Sequence, residues 1–208
     1  MPRLTPCKRL MKKMRPALQL VEQMGQTLEL ETGFQVCEDG GEWYPLTTCV
    51  GDACSIMPSQ LGTCPTGRSV GLVHTHPGSG ETGGGEELAS PADFKVAKDM
   101  EMDFVCVVTP ENRALNCYSD FHHLEDVDFD RFGLAYALHL DDSLRRFTQG
   151  RSIYTDTELE MAKRAAAGRA FYEMLYLKGV KRCREPLDQK GRLIPDIHEI
   201  VPEGFEYE

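Results

Sequence analysis

Apolar residues recur at three- and four-residue steps from Thr5 to about Gln26, at Leu10, Met14, Leu18, Val21 and Met24, which predicts a helix with one apolar face. Pro16 marks either a kink or the true start of that helix, because an interior proline removes a hydrogen bond and clashes with the preceding turn. The period then changes. In "TLELETGFQVCEDGGEWYPLTTCV", Phe34 and Val36 alternate with polar residues, Asp39-Gly40-Gly41 supplies a turn, and "EWYPLTTCV" resumes extended. A β-hairpin is expected there. After a looping stretch to Gly67, "RSVGLVH" reads as a short, largely buried strand. Ser90-Pro91 opens a helix running to about Met100, since serine caps free amides and proline is favoured at the first helical position. "MDFVCVVTP" is a central strand stopped by Pro110, and "RALNCYS" is its partner across the "PEN" turn.

Beyond Phe121 the pattern is helical. "FDRFGLAYALHLDDSLRRF" and "DTELEMAKRAAAGRAFYEMLYLKG" are both amphipathic, the second capped by Asp156 and ended by Gly179. The last segment, "REPLDQKGRLIPDIHEIVPEGFEYE", is proline-punctuated and acidic at its end, and reads as a docking arm or a poorly ordered tail. The order predicts a mixed α/β domain over residues 1–120, with helices packed on a sheet, followed by a helical C-terminal extension over 121–208.

Composition narrows the function classes. A net charge of −10 gives no overall footprint for nucleic acid or an anionic membrane, so a protein or peptide partner is expected. No apolar run approaches bilayer length, and the basic N-terminus is followed by no secretion-signal core. The chain is therefore read as cytoplasmic. Its 8 cysteines form no CxxC pair. In a reducing compartment buried free thiols are expected, above all for Cys106 and Cys117 inside apolar strands. Cys49, Cys54 and Cys64 cluster in a Gly/Pro-rich stretch, where a second metal or a disulfide is the alternative.

The candidate chemistry lies in "HTHPGSGETGGGEELASPAD", residues 74–93. Alternate strand residues face the same way, so His74 and His76 can present both imidazoles to one point. A catalytic zinc takes three protein ligands and keeps a fourth position for water. Asp93 is the best third ligand: it follows the Ser90 cap by three residues, in the first helical turn, where the helix dipole favours negative charge. The purely local alternative is that Ser90 and Asp93 only cap the helix. His122, His123, His139 and His198 are read as structural or solvated.

On "VGLVHTHP" and "SPADF", over roughly residues 5–120, the sequence resembles the JAMM metallopeptidases, also called MPN+ or JAB1/MPN domains. The resemblance implies a curved, mixed sheet flanked by helices, a cytidine-deaminase-like arrangement. It implies Zn²⁺ held by His74, His76 and Asp93, with Ser90 hydrogen-bonding the developing oxyanion. An upstream glutamate would act as the base: Glu31 in "ETGFQV" matches best, Glu29 is the alternative, and Glu38 and Glu42 are more distant candidates. The implied activity is hydrolysis of amide or isopeptide bonds, with removal or processing of a ubiquitin-like modifier as the substrate class. The alternative is a catalytically silent MPN-type scaffold that assembles with partner proteins. The 12-residue spacer Gly78 to Ala89, with 5 glycines, is longer than the family's usual one. It reads either as a loop bordering the substrate cleft or as a surface insertion.

Overall fold

Met14 divides the predicted N-terminal helix in two. In the computed structural model, α1 (Pro6–Lys13) is closed by a cap at Met14, and α2 (Arg15–Leu28) starts one residue later. Pro16 thus falls in a first turn, where its missing amide costs nothing. The structure describes residues 4–28, 30–51, 60–76, 89–109, 114–151, 153–171 and 178–187. Glu29, Cys54, the "PEN" turn, the spacer after His76, the last turns predicted before Gly179, and the segment from 188 onward lie outside them.

β1 (Thr32–Asp39) and β2 (Glu42–Pro45) form the expected hairpin. Its two-residue turn needs left-handed backbone at both positions, which Gly40 and Gly41 supply with φ of 56° and 85°. β3 (Cys49–Val50) pairs with the start of β1. β4 (Arg68–Thr75) lies antiparallel to β1 and parallel to β5 (Phe104–Thr109), to which α3 (Pro91–Asp99) connects it. β6 (Ala114–Ser119) is antiparallel to β5. The chain then passes through α4 (Asp126–Phe147) and α5 (Asp156–Phe171) into β7 (Lys181–Pro186), which pairs antiparallel with β6. The described sheet runs β2-β1-β4-β5-β6-β7, with β3 beside β1. The molecule is thus a mixed α/β fold with an open, mixed sheet flanked by helices.

Strand alternation sorts the core into two halves. Phe34, Val36, Val73, Phe104, Cys106 and Leu115 face α1 and α2 with Leu10, Met14, Leu18 and Val21. Leu72, Val105, Val107 and Tyr118 face the other way, against Phe94 of α3 and Phe129 and Phe132 of α4. Burying each large aromatic or aliphatic side chain contributes about 1.5–3 kcal/mol, so both helical layers are held mainly by this interdigitation. Close approach is enforced at Gly71, where a Cβ would overlap the ring of its cross-strand neighbour Phe104, itself stacked on Trp43 at 4.8 Å between ring centroids.

Two expectations are corrected. The first residues of the segment read as a C-terminal arm, Arg184 to Pro186, close a strand: β7 returns from the α4–α5 hairpin to the sheet edge, where its "KRCREP" side chains are mostly half-buried. The cysteines expected as free thiols are paired, as Cys7–Cys183, Cys37–Cys64 and Cys106–Cys117, with Cα separations of 6.1, 5.8 and 4.0 Å. Register explains the last pair, since Cys106 and Cys117 sit directly opposite one another on β5 and β6. Cys64 joins Cys37, leaving Cys49 free and half-buried, with its thiol pKa pushed up by burial and its S–H directed at the Gly33 carbonyl 3.3 Å away. Among the described residues, no helix is long and apolar enough to cross a membrane.

Candidate metal centre

The site forms where β4 ends and α3 begins. His74 is the seventh residue of β4, paired with Gly33 on one side and Val107 on the other, and it is buried. Alternation sends His74 toward α3 along with Leu72, while Thr75 turns to the opposite face against Gly25 of α2. His76 comes just past the strand end and again points to the α3 side.

Asp93 meets them from the first turn of α3. It is held by a full capping box: the Ser90 N–H donates to Asp93 Oδ2 at 2.5 Å, and the Asp93 N–H donates to Ser90 Oγ at 3.3 Å. The local capping role and the candidate ligand role are therefore both present in one side chain. Asp93 Oδ1 lies 3.2 Å from His74 Nε2, Oδ2 lies 3.4 Å from His76 Nε2, and the two Nε2 atoms are 3.0 Å apart. Three ligands bound tetrahedrally at about 2.0–2.1 Å would stand about 3.3 Å from one another. The observed separations lie close to that value, with Asp93 meeting the two imidazoles through different carboxylate oxygens, and the three residues form one of the groups among the described residues that could hold a metal ion.

Electrostatics reinforces the grouping. Burial pushes the Asp93 carboxyl up, but charge and hydrogen bonding from His74 and His76 outweigh it, leaving Asp93 well below the ordinary 3.8. Burial pushes His74 down, and the Asp93 carboxylate, with a further contribution from the charge of Glu31, raises it above 6.5 on balance. The side chains of His76 and Asp93 keep 15% and 16% exposure against 1% for His74, so the centre opens on their side. His74 Nδ1 is buried and finds no hydrogen-bond partner among the described residues, so its tautomer is set only from the Nε2 side.

The glutamate candidates separate by position. Glu31 is buried immediately before β1, two residues from Gly33, the cross-strand neighbour of His74, and its backbone carbonyl is fixed by the Gly51 N–H at 2.8 Å. Glu38 lies toward the far end of β1, 3.6 Å from Arg68 and 3.8 Å from Arg9, and accepts from Trp43 Nε1. Glu42 is exposed and paired with Lys13 at 2.8 Å. Neither reaches the histidines. Of the other histidines, His122 borders a cavity at the opposite end of the sheet, His123 bonds the Lys178 carbonyl, and His139 rides on α4. His198 lies outside the described residues.

Sequence reasoning missed a buried clamp behind the site. Thr75 Oγ1 accepts the Thr32 N–H at 3.0 Å and lies 3.1 Å from Thr32 Oγ1, which in turn donates to the Val21 carbonyl of α2 at 3.1 Å. Gly25 of α2 sits against Thr75, with space for no Cβ: an added one would stand 2.9 Å from Thr75 Oγ1. The only sequence signal was a threonine between two histidines. Comparison of the chain with family models, curated proteins and solved structures found no match.

Proposed function

We propose that the chain is a zinc-dependent hydrolase of amide or isopeptide bonds, of the JAMM type its motifs resemble, acting on a protein or peptide substrate. The observation that carries this reading is the convergence of the His74 and His76 imidazoles and the Asp93 carboxylate, beside a buried glutamate. Zinc bound there supplies Lewis acidity and draws the pKa of a water toward neutrality. The chain's own groups divide the remaining work. His74 and His76 offer their Nε2 lone pairs, and the Ser90 amide holds Asp93 in position. Glu31 takes the proton from water and returns it to the leaving nitrogen, the task of a general base that then acts as an acid. The Ser90 cap uses an acceptor lone pair of Oγ, which leaves its O–H to donate to the oxygen that gains charge as the scissile carbonyl is attacked.

The half-open side at His76 and Asp93 suits entry of an extended tail, and a ubiquitin-like modifier is the substrate class the resemblance favours. A silent scaffold would have no need of a complete ligand set, and here the set is complete. The test compares zinc content and hydrolysis of a ubiquitin-like fusion. Wild type should carry one more zinc per chain than His76→Ala or Asp93→Ala. Glu31→Gln should keep that zinc and lose at least about 100-fold in rate, the scale of a removed general base. Equal zinc in wild type and both ligand variants defeats the proposal.

A further inference from the structure

Four of the cysteines form a second constellation, on the opposite face of the sheet from the histidines. Cys106, Cys117 and Cys183 occupy successive register positions across β5, β6 and β7: Cys106 faces Cys117, and Cys117 faces Cys183. α1 lays Cys7 over this row. The Sγ atoms of Cys7, Cys117 and Cys183 all lie within 4.8 Å of one another, and Cys106 is bonded to Cys117. Cys7, Cys106 and Cys117 are fully buried or nearly so, while Cys183 is half-buried at the sheet edge. Cys37–Cys64 stands apart as an ordinary isolated pair.

Two isolated structural disulfides have no need to share one spot, whereas a thiolate metal site does. Tetrahedral Zn–S bonds of about 2.3 Å put ligand sulfurs about 3.8 Å apart, inside the 4.8 Å spread of the Cys7, Cys117 and Cys183 sulfurs. The surroundings also suit bound thiolates. The Cys7 N–H, an amide in the first turn of α1 with no partner inside the helix, donates to Cys183 Sγ at 3.2 Å. The positive end of the α1 dipole points at the sulfurs, a compensation that a cluster with net negative charge requires.

We propose that in the reduced chain Cys7, Cys117 and Cys183 bind a soft divalent cation, zinc, at a structural site that pins α1 and β7 to the sheet. The chemistry balances with a dithiol as reductant. Each of the two disulfides takes two electrons and two protons and opens to two thiols, while one dithiol per disulfide is oxidised to its own disulfide. The Cys7, Cys117 and Cys183 thiols then release their protons to water as the Zn–S bonds form. Sulfur ligands favour zinc over calcium or magnesium, which take oxygen. In an oxidising compartment the same four sulfurs stay as two disulfides.

The test uses the full chain, reduced anaerobically with a dithiol, loaded with zinc or cobalt(II) and freed of excess metal. Run in the His76→Ala/Asp93→Ala background, it is independent of the histidine centre. One zinc per chain is expected there. With cobalt(II), sulfur-to-metal charge-transfer absorption should appear, a signal the histidine centre has no sulfur to produce. Replacing Cys117 and Cys183 by serine should abolish both, whereas Cys37→Ser/Cys64→Ser should keep both. The cobalt spectrum needs no cysteine variant, so poor folding of the double serine chain leaves the question decided. No retained zinc and no charge-transfer band in the reduced chain overturns the site, as does survival of the Cys7, Cys117 and Cys183 thiols in alkylatable form after zinc loading. If wild type holds only the cysteine-bound zinc, the hydrolase reading fails while this site stands.

Discussion

Thr75→Val tests whether the clamp behind the metal centre is structural. Valine keeps the shape of threonine and its contact with Gly25, so packing is nearly unchanged and the lost hydroxyl dominates. That hydroxyl is the partner of the Thr32 N–H at 3.0 Å, and Thr75 is fully buried. A buried donor left without an acceptor costs about 1–3 kcal/mol, and loss of the Thr75–Thr32 hydroxyl bond adds about 1 kcal/mol. The sum is about 2–4 kcal/mol. For a chain of this length each kcal/mol moves the midpoint by about 2–4 °C, so Tm should fall by roughly 5–15 °C. Urea unfolding of metal-free wild type, Thr75→Val and Thr75→Ser should show equal slopes, a lower midpoint for valine, and substantial recovery for serine. Equal slopes establish that stability, rather than the unfolded ensemble, has changed. A loss below about 0.5 kcal/mol in the valine variant would refute the clamp, because so small a change falls within ordinary surface substitution effects.

Ser90→Ala should destabilise the chain by about 0.5–2 kcal/mol through the lost α3 cap. The Ser90 amide still holds Asp93, so zinc should stay bound while hydrolysis falls about 100- to 1000-fold, the scale for one oxyanion donor; a comparison of metal content with kcat checks both. For the metal-free chain, pH-dependent stability follows from the two shifted groups. His74 is raised, so its contribution is complete below 6.5 and is lost as pH rises through its folded value; Asp93 is lowered, so its contribution is complete above 3.8 and is lost as pH falls. Denaturation midpoints should peak between those two values, and a profile flat from pH 3 to 8 would contradict the coupling.

Much of the sheet could be read from the sequence because its strands carry local signals. The Gly40-Gly41 turn, the near-continuous apolar run of β4 and the Ser90-Pro91 helix start are each specified by neighbouring residues. The candidate centre was legible for the same reason: strand alternation joins His74 to His76, and one helical turn joins Asp93 to Ser90. What escaped were features fixed by distant partners. β7 is rich in Lys181, Arg182, Arg184 and Glu185, since an edge strand buries little, and only its pairing with β6 makes it a strand. Cys7 and Cys183 are 176 residues apart, beyond any spacing rule. Cys106 and Cys117 were within reach, because Thr109 opposite Ala114 across the turn fixes Cys106 opposite Cys117 three pairs further on. The break at Met14 was masked by an apolar periodicity that continues through it.

The parallel pairing of β4 with β5 has a consequence for how such a site can diversify. In an antiparallel hairpin the connecting turn sets which residues face each other, so lengthening it shifts the register. Here the stretch from His76 to Ser90 belongs to a crossover whose helix docks independently on the sheet. Residues can be added there for a slowly growing closure cost of about 0.6 kcal/mol per doubling of length. The two histidines and the aspartate are therefore held by elements whose register does not depend on the length of the connection between them.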